Sequence, residues 1–210
     1  MENELMRLRV VHGLRLRSLL EAAELARLAG VSQELVESIL EDESGRGFVV
    51  YRSGRLSGWA LTATGRTEGE RLLADQLSHS GGRGQIESIY EEFLDLNPVL
   101  LSICTDWQTS NVDGIEVVNT HEDSERDDAV LARLDGLHSL SMGMVERLGG
   151  ILERFGGYGP RLSAAHERIL SGETEWLTRS TIDSYHSVWF ELHEDLLATL
   201  GRRRVDERPR

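Results

Sequence analysis

Apolar positions along the chain keep a helical rhythm almost everywhere and a strand rhythm in one short stretch. In residues 5–20, Leu5, Leu8, Val11, Leu14 (or Arg15) and Leu19 recur near three- and four-residue spacing and predict a first helix. Residues 21–29, rich in Ala and Leu, predict a short second helix. Gly30 marks a sharp turn, and Ser32 stands where an N-cap is wanted, ahead of Leu35, Ile39 and Leu40 on a third helix. The β-rich run 47–52 and the short run 59–62 then enclose a turn, 53–58, that holds two glycines. Another helix opens at Thr64.

The stretch 78–84, with three glycines, reads as a flexible linker. This predicts domains at 1–79 and 85–201, a linker over 80–84 and a disordered tail at 202–210. The second domain reads as all-helical. One helix is expected over 85–105, bent at Pro98, followed by a polar loop over 109–124. From Arg126, positions Leu131, Leu134, His138, Ser141, Val145, Leu148, Leu152 and Phe155 alternate steps of three and four, a seam suited to helix packing. Helices over 161–170 and 181–200 complete the pattern. In the last, Ile182, Tyr185, Trp189, Leu192, Leu196 and Leu200 form one stripe beside His186, Phe190, His193 and Leu197, so burial on a broad front is expected. The fold class is therefore mostly α, with one small β-hairpin. No internal repeat is visible.

Helix, glycine turn, capped helix is the helix-turn-helix order, and two strands around a Gly/Arg/Ser tip directly after it form a wing. The step Leu61-Thr-Ala-Thr-Gly-Arg66 resembles the strand-to-helix junction of winged helix-turn-helix transcription regulators of the MarR-like and PadR-like kind, over about residues 10–78. That resemblance implies double-stranded DNA as a partner and a homodimer. The helical half, especially the stretch Ala165-His-Glu-Arg-Ile-Leu-Ser-Gly-Glu, resembles the effector domains of GntR-type regulators. It is also similar to proteins of GC-rich bacteria associated with pyruvate, phosphate dikinase.

Charge sharpens this picture. The 210 residues carry a net charge of −13, unusual for a nucleic-acid binder. Residues 1–79 hold ten arginines against twelve acids, whereas 80–210 hold thirteen against twenty-four, so the acidic load lies in the second half. Only the window 46–71 is locally basic, with Arg46, Arg52, Arg55, Arg66 and Arg71 against Glu68 and Glu70. A phosphate-facing surface is expected there, at Arg46, Arg52, Arg55 and Arg66. Solvated hairpins also carry arginines, and the third helix holds Glu34, Glu37, Glu41 and Asp42 with no basic residue. That departs from the usual basic reading helix; Ser32, Gln33 and Ser38 remain to meet base edges. The alternative is a module that docks on a partner protein such as a metabolic enzyme.

Candidate effector residues lie in the helical half: Asp106, Trp107, His138 and Tyr185, with His186, Trp189 and His193 on the last helix. His138 and Ser141 are polar breaks in an apolar seam, which suits a small-molecule pocket or a local hydrogen bond. His186 and His193 stand about 10 Å apart along their helix, too far to share one metal ion. The acidic stretch 119–128 with His121 lacks the calcium-loop order. Nucleotide-loop, nucleophile-elbow, zinc-protease and dinucleotide signatures are absent, so no catalytic residue, metal or cofactor is expected and the chain reads as a non-enzyme. A small enzyme built on the His-rich face is a third reading. With Cys104 alone, no internal disulfide, no signal-peptide pattern and no apolar run of about 18 residues, a cytoplasmic protein without a membrane anchor is expected.

Overall fold

The computed structural model describes residues 2–112 and 114–207. It is mostly helical and divides into two compact units: 2–81 with 197–203, and 82–196 with the described residues after Arg203.

In the first unit, α1 (Glu2–Arg17), α2 (Ala22–Ala29) and α3 (Gln33–Gly45) surround one apolar cluster. Val10, Val11 and Leu14 of α1 meet Leu25 and Ala26 of α2 and Val36, Ile39 and Leu40 of α3. At about 1.5–3 kcal/mol for each fully buried aliphatic side chain, this cluster holds the three helices together. A Cβ on Gly13 would lie 2.7 Å from Leu25 Cδ1, so the missing side chain is what lets α1 approach α2. Helix α2 starts with a capping box between Glu21 and Glu24 and stops at Gly30, whose φ of 68° suits glycine. Ser32 caps α3 by accepting from Leu35 N at 3.3 Å. Val36 turns inward in α3, while Leu35 stays at its surface.

Strands β1 (Val49–Arg52) and β2 (Gly58–Leu61) pair antiparallel, with Val49 opposite Leu61 and Arg52 opposite Gly58. Leu20 adds a bridge to the outer edge of β2, exchanging backbone hydrogen bonds of 3.1 and 2.8 Å with Trp59. Thr62 then caps α4 (Ala63–Ser80) through Gly65 N and also donates to Gly47 O, tying the helix start to the hairpin base. Leu8, Leu72, Leu73 and Ala198 form a second small cluster.

The expected linker is shorter than the glycine content suggests. Helix α4 ends at Ser80 and α5 (Arg83–Gln108) begins three residues later, so only Gly81, in a left-handed C-cap, and Gly82 separate them. Helix α5 continues through Pro98, which has no N–H for the carbonyl four residues earlier. Cys104, on the same helix, is buried, and burial pushes its thiol up to about 12.

The polar loop expected over 109–124 contains a hairpin, β3 (Thr109–Val112) with β4 (Ile115–Val118). Its β4 residues are all exposed, so no apolar alternation betrays it. Helix α6 (Ser124–Ile151) buries Leu134, Ser141, Val145 and Leu148 of the expected seam, and Leu137 and Met144 as well. His138 is only half-buried. A 3-10 turn (Glu153–Gly157) leads straight into α7 (Tyr158–Leu170), whose Pro160 lies in the first turn. Helix α8 (Tyr185–Leu200) starts later than expected because the Ser184 hydroxyl accepts from Ser187 N at 3.2 Å. Its burial is broad, with Phe190 as the exposed exception at 49%. Within the segment expected to be disordered, Arg204–Asp206 form a 3-10 turn; residues 208–210 of that expectation lie outside the described residues.

One buried and one part-buried ion cluster tie α7 and the turn before it to α8 and the residues just ahead of it. Arg154 and the Tyr158 hydroxyl both bond Asp195, and Arg161 reaches Asp183 at 3.0 Å and Glu191 at 2.6 Å.

Candidate nucleic-acid interface

The β1–β2 hairpin projects its tip at residues 53–57, all exposed. Two side-chain bonds anchor it from below. Tyr51 and Ser57 each donate a hydroxyl to Glu21 Oε1, at 3.0 and 2.9 Å. With the Leu20–Trp59 bridge, these fix the hairpin to the start of α2, and Tyr51 meets Trp59 edge to face at 5.5 Å.

Arginines in this unit fall into two classes. Arg7 bonds Glu43 and Glu68 at 2.8 Å each, Arg15 bonds Glu70, and Arg71 bonds Glu68 and Asp75. Hydrogen bonds from Arg71, assisted by Arg7, hold the Glu68 carboxyl down at about 2. Arg46 caps α3 and bonds the buried Glu43 at 3.2 Å. Arg52, Arg55 and Arg66 are exposed, and among the described residues none has a carboxylate within ion-pair distance. Arg52 and Arg55 lie at the hairpin tip. Arg46 caps the end of α3 ahead of β1, and Arg66 lies in the first turn of α4 after β2. The four sequence-predicted arginines thus lie on the hairpin or at the ends of the two helices that flank it, and among the described residues three of them have no carboxylate in ion-pair reach.

On α3, Ser32 is engaged in the cap, Gln33 donates to Glu37 Oε1 at 2.7 Å, and Ser38 is exposed. Glu34, Glu37, Glu41 and Asp42 are exposed as well, while the inward face takes Val36, Ile39, Leu40 and Glu43. An open depression at the α2–α3 turn is lined by Ala26, Arg27, Gly30, Ser32 and Gln33 among others. Arg27 is exposed with no carboxylate in ion-pair reach among the described residues. Sequence reading passed over it because it sits outside the basic window.

No protein-family model, curated protein or solved structure matches this chain.

The expected effector residues separate into three groups. Asp106 pairs with Arg133 at 2.5 Å, which lowers its carboxyl, and Trp107 lies 4.4 Å from the His121 ring. Asn119 Nδ2 donates to Trp107 O and Asp127 there, which makes a closed polar knot. In a second group, His138 stacks on His166 at 4.1 Å, and Tyr185 Oη lies 3.1 Å from Ser141 Oγ. Burial, then the neighbouring His166, lowers the His138 pKa, and burial pushes Tyr185 up to about 12. In a third group, Trp189 stacks on Phe93 at 4.8 Å and donates to Asn97, while His193 Nε2 bonds Glu207 at 2.6 Å. His186 is half-buried, its pKa lowered by burial.

Tyr185 and Trp189, 6.4 Å apart, link the second and third groups. Trp107 stands about 21 Å along α5 from Phe93, so one common pocket does not form. His166, Tyr90, Phe93, Asn97 and Glu207 went unmarked in the sequence because their partners lie far along the chain. Among the described residues, no group of three or more His, Cys, Asp or Glu side chains is arranged to hold a metal ion.

Proposed function

We propose that this chain is a homodimeric DNA-binding transcription regulator whose first unit is a winged helix-turn-helix. The carrying observation is the pair Arg52 and Arg55, without internal counter-charges, on a hairpin braced by Glu21 and Leu20. Exposed guanidinium groups with no internal acid are available to phosphate oxygens, and bracing reduces the entropy lost on binding. The order three helices, hairpin, helix supports this reading, as does the single-residue bridge by which Leu20 meets Trp59 at the edge of β2. Double-stranded DNA is the partner. The helical unit supplies the dimer contact and the place where a small-molecule effector acts, by changing the separation of the two reading heads.

The test is fluorescence anisotropy with duplexes from the region upstream of the chain's own gene, over a salt series. Wild-type affinity should fall steeply with salt. In Arg52→Ala/Arg55→Ala, affinity should drop and the slope of log K against log salt should lessen by about two. Unchanged binding by the double variant sinks the wing assignment.

A second reading is favoured by the acidic outer face of α3 together with the exposed Leu35 and, on the hairpin, Leu56 at 77% exposure. Under it, the first unit docks on a partner protein with a basic surface. Co-purification that depends on Leu56 and on the α3 acids, with no salt-dependent duplex binding, would select it.

A further inference from the structure

The interior of the second unit holds a carboxylate that its own core did not supply. Glu207 comes in from the segment after α8, and its Oε1 takes two hydrogen bonds, from Tyr90 Oη at 2.5 Å and from His193 Nε2 at 2.6 Å. A carboxylate oxygen only accepts, so both groups donate to it. Tyr90 is 1% exposed and His193 2%, set beside Phe93, whose ring lies 4.8 Å from the imidazole. Two buried donors aimed at one oxygen beside an aromatic ring make an anion cradle.

The occupant is held from the outside. Glu207 remains 20% exposed, and Arg204, the segment's other anchor, bonds Glu194 at 2.6 Å and lies over the exposed Phe190 ring. Val205 between them is 83% exposed, so it adds no buried apolar area. The aromatic ring and the two donors belong to α5 and α8, while the carboxylate arrives on a short solvent-facing turn. A rigid cradle with a removable acid is what a competing ligand needs.

We propose that Tyr90 and His193 form a binding site for a small carboxylate, and that Glu207 fills this site in cis until such an acid displaces it. A tethered carboxylate acts at an effective concentration on the order of millimolar, so free ligand binds the intact chain weakly. The proposal stands apart from DNA binding, and its test uses none.

Benzoate is the probe and benzamide, its neutral counterpart, the control, with binding read by tryptophan fluorescence of the full-length protein. Glu207→Ala should bind benzoate about tenfold or more tighter than wild type, since the internal competitor is gone. The isosteric Glu207→Gln should lie between them, and benzamide should bind none of the three. Adding Tyr90→Phe to Glu207→Ala should remove most of the gain. In wild type, saturating benzoate should speed amide exchange at residues 204–207. Equal benzoate affinity in wild type and in folded Glu207→Ala overturns the proposal. So does binding in wild type that leaves exchange at 204–207 unchanged.

Discussion

A methyl group on Gly65 would lie 1.8 Å from the carbonyl oxygen of Phe48. That oxygen already accepts from Thr62 N at 3.0 Å, so the start of α4 is pressed onto the strand entry with no room to yield. Gly65→Ala should therefore destabilise the chain by about 1–3 kcal/mol or more through overpacking. Gly136, on the exposed side of α6, has open space around its Cβ position, and Gly136→Ala should stabilise by about 0.5–1 kcal/mol. Urea unfolding of both variants checks the pair; similar effects at the two sites would contradict the close approach.

Asp195 is 2% exposed and receives both Arg154 and the Tyr158 hydroxyl. Asp195→Ala takes that carboxylate from a guanidinium only 5% exposed, and breaking a buried pair from one side costs about 3–5 kcal/mol. Denaturant unfolding should show a loss of that order. A change below about 1 kcal/mol would mean the cluster is more hydrated than its burial implies.

His138, His186 and His193 all have pKa values lowered by burial from the ordinary 6.5. A base with a depressed folded-state pKa takes its proton more readily when unfolded. Stability is then full above pH 6.5 and falls as pH drops through and below that value. Melting temperature should decline between pH 7.5 and 5.5, each kcal/mol lost lowering it by about 2–4 °C for this length. His138→Gln should flatten part of that decline, and a variant as steep as wild type would remove His138 from the account.

The acidic face of α3 separates the two functional readings. A carboxylate about 10 Å from a phosphate costs roughly 0.4 kcal/mol in water. Glu34→Gln/Glu37→Gln/Glu41→Gln should therefore tighten duplex binding by up to about eightfold at low salt. If the same face docks on a basic protein, the triple variant should instead weaken capture of that protein and leave duplex binding absent.

The start of α3 was legible in the sequence from its capping Ser32, whereas the caps Asp123 of α6 and Ser184 of α8 were not. Ser32 and Gly30 bound the α2–α3 turn as their chemistry demands, and the 61–66 step turns from strand to helix around Thr62. Features that depend on long-range partners were not legible. Glu43 reads as one more surface acid, yet it is 1% exposed because Arg7, thirty-six residues earlier, reaches it. The β3–β4 hairpin escaped because neither of its faces is buried enough to impose alternation on β4. Candidate effector residues were chosen for their types; the surroundings of Trp189 and His193 were decided by Phe93, Asn97 and Tyr90 on α5, which carry no local signal.

Cys104 gives the second unit an intrinsic clock. A thiol sealed inside α5 and held almost wholly protonated reacts with alkylating reagents only during moments when that helix opens. Because the chain has one cysteine, each covalent event reports one such opening, with no label to introduce and no second sulfur to subtract. The breathing of this half of the molecule can thus be timed in the unaltered protein, with and without any ligand that tightens it.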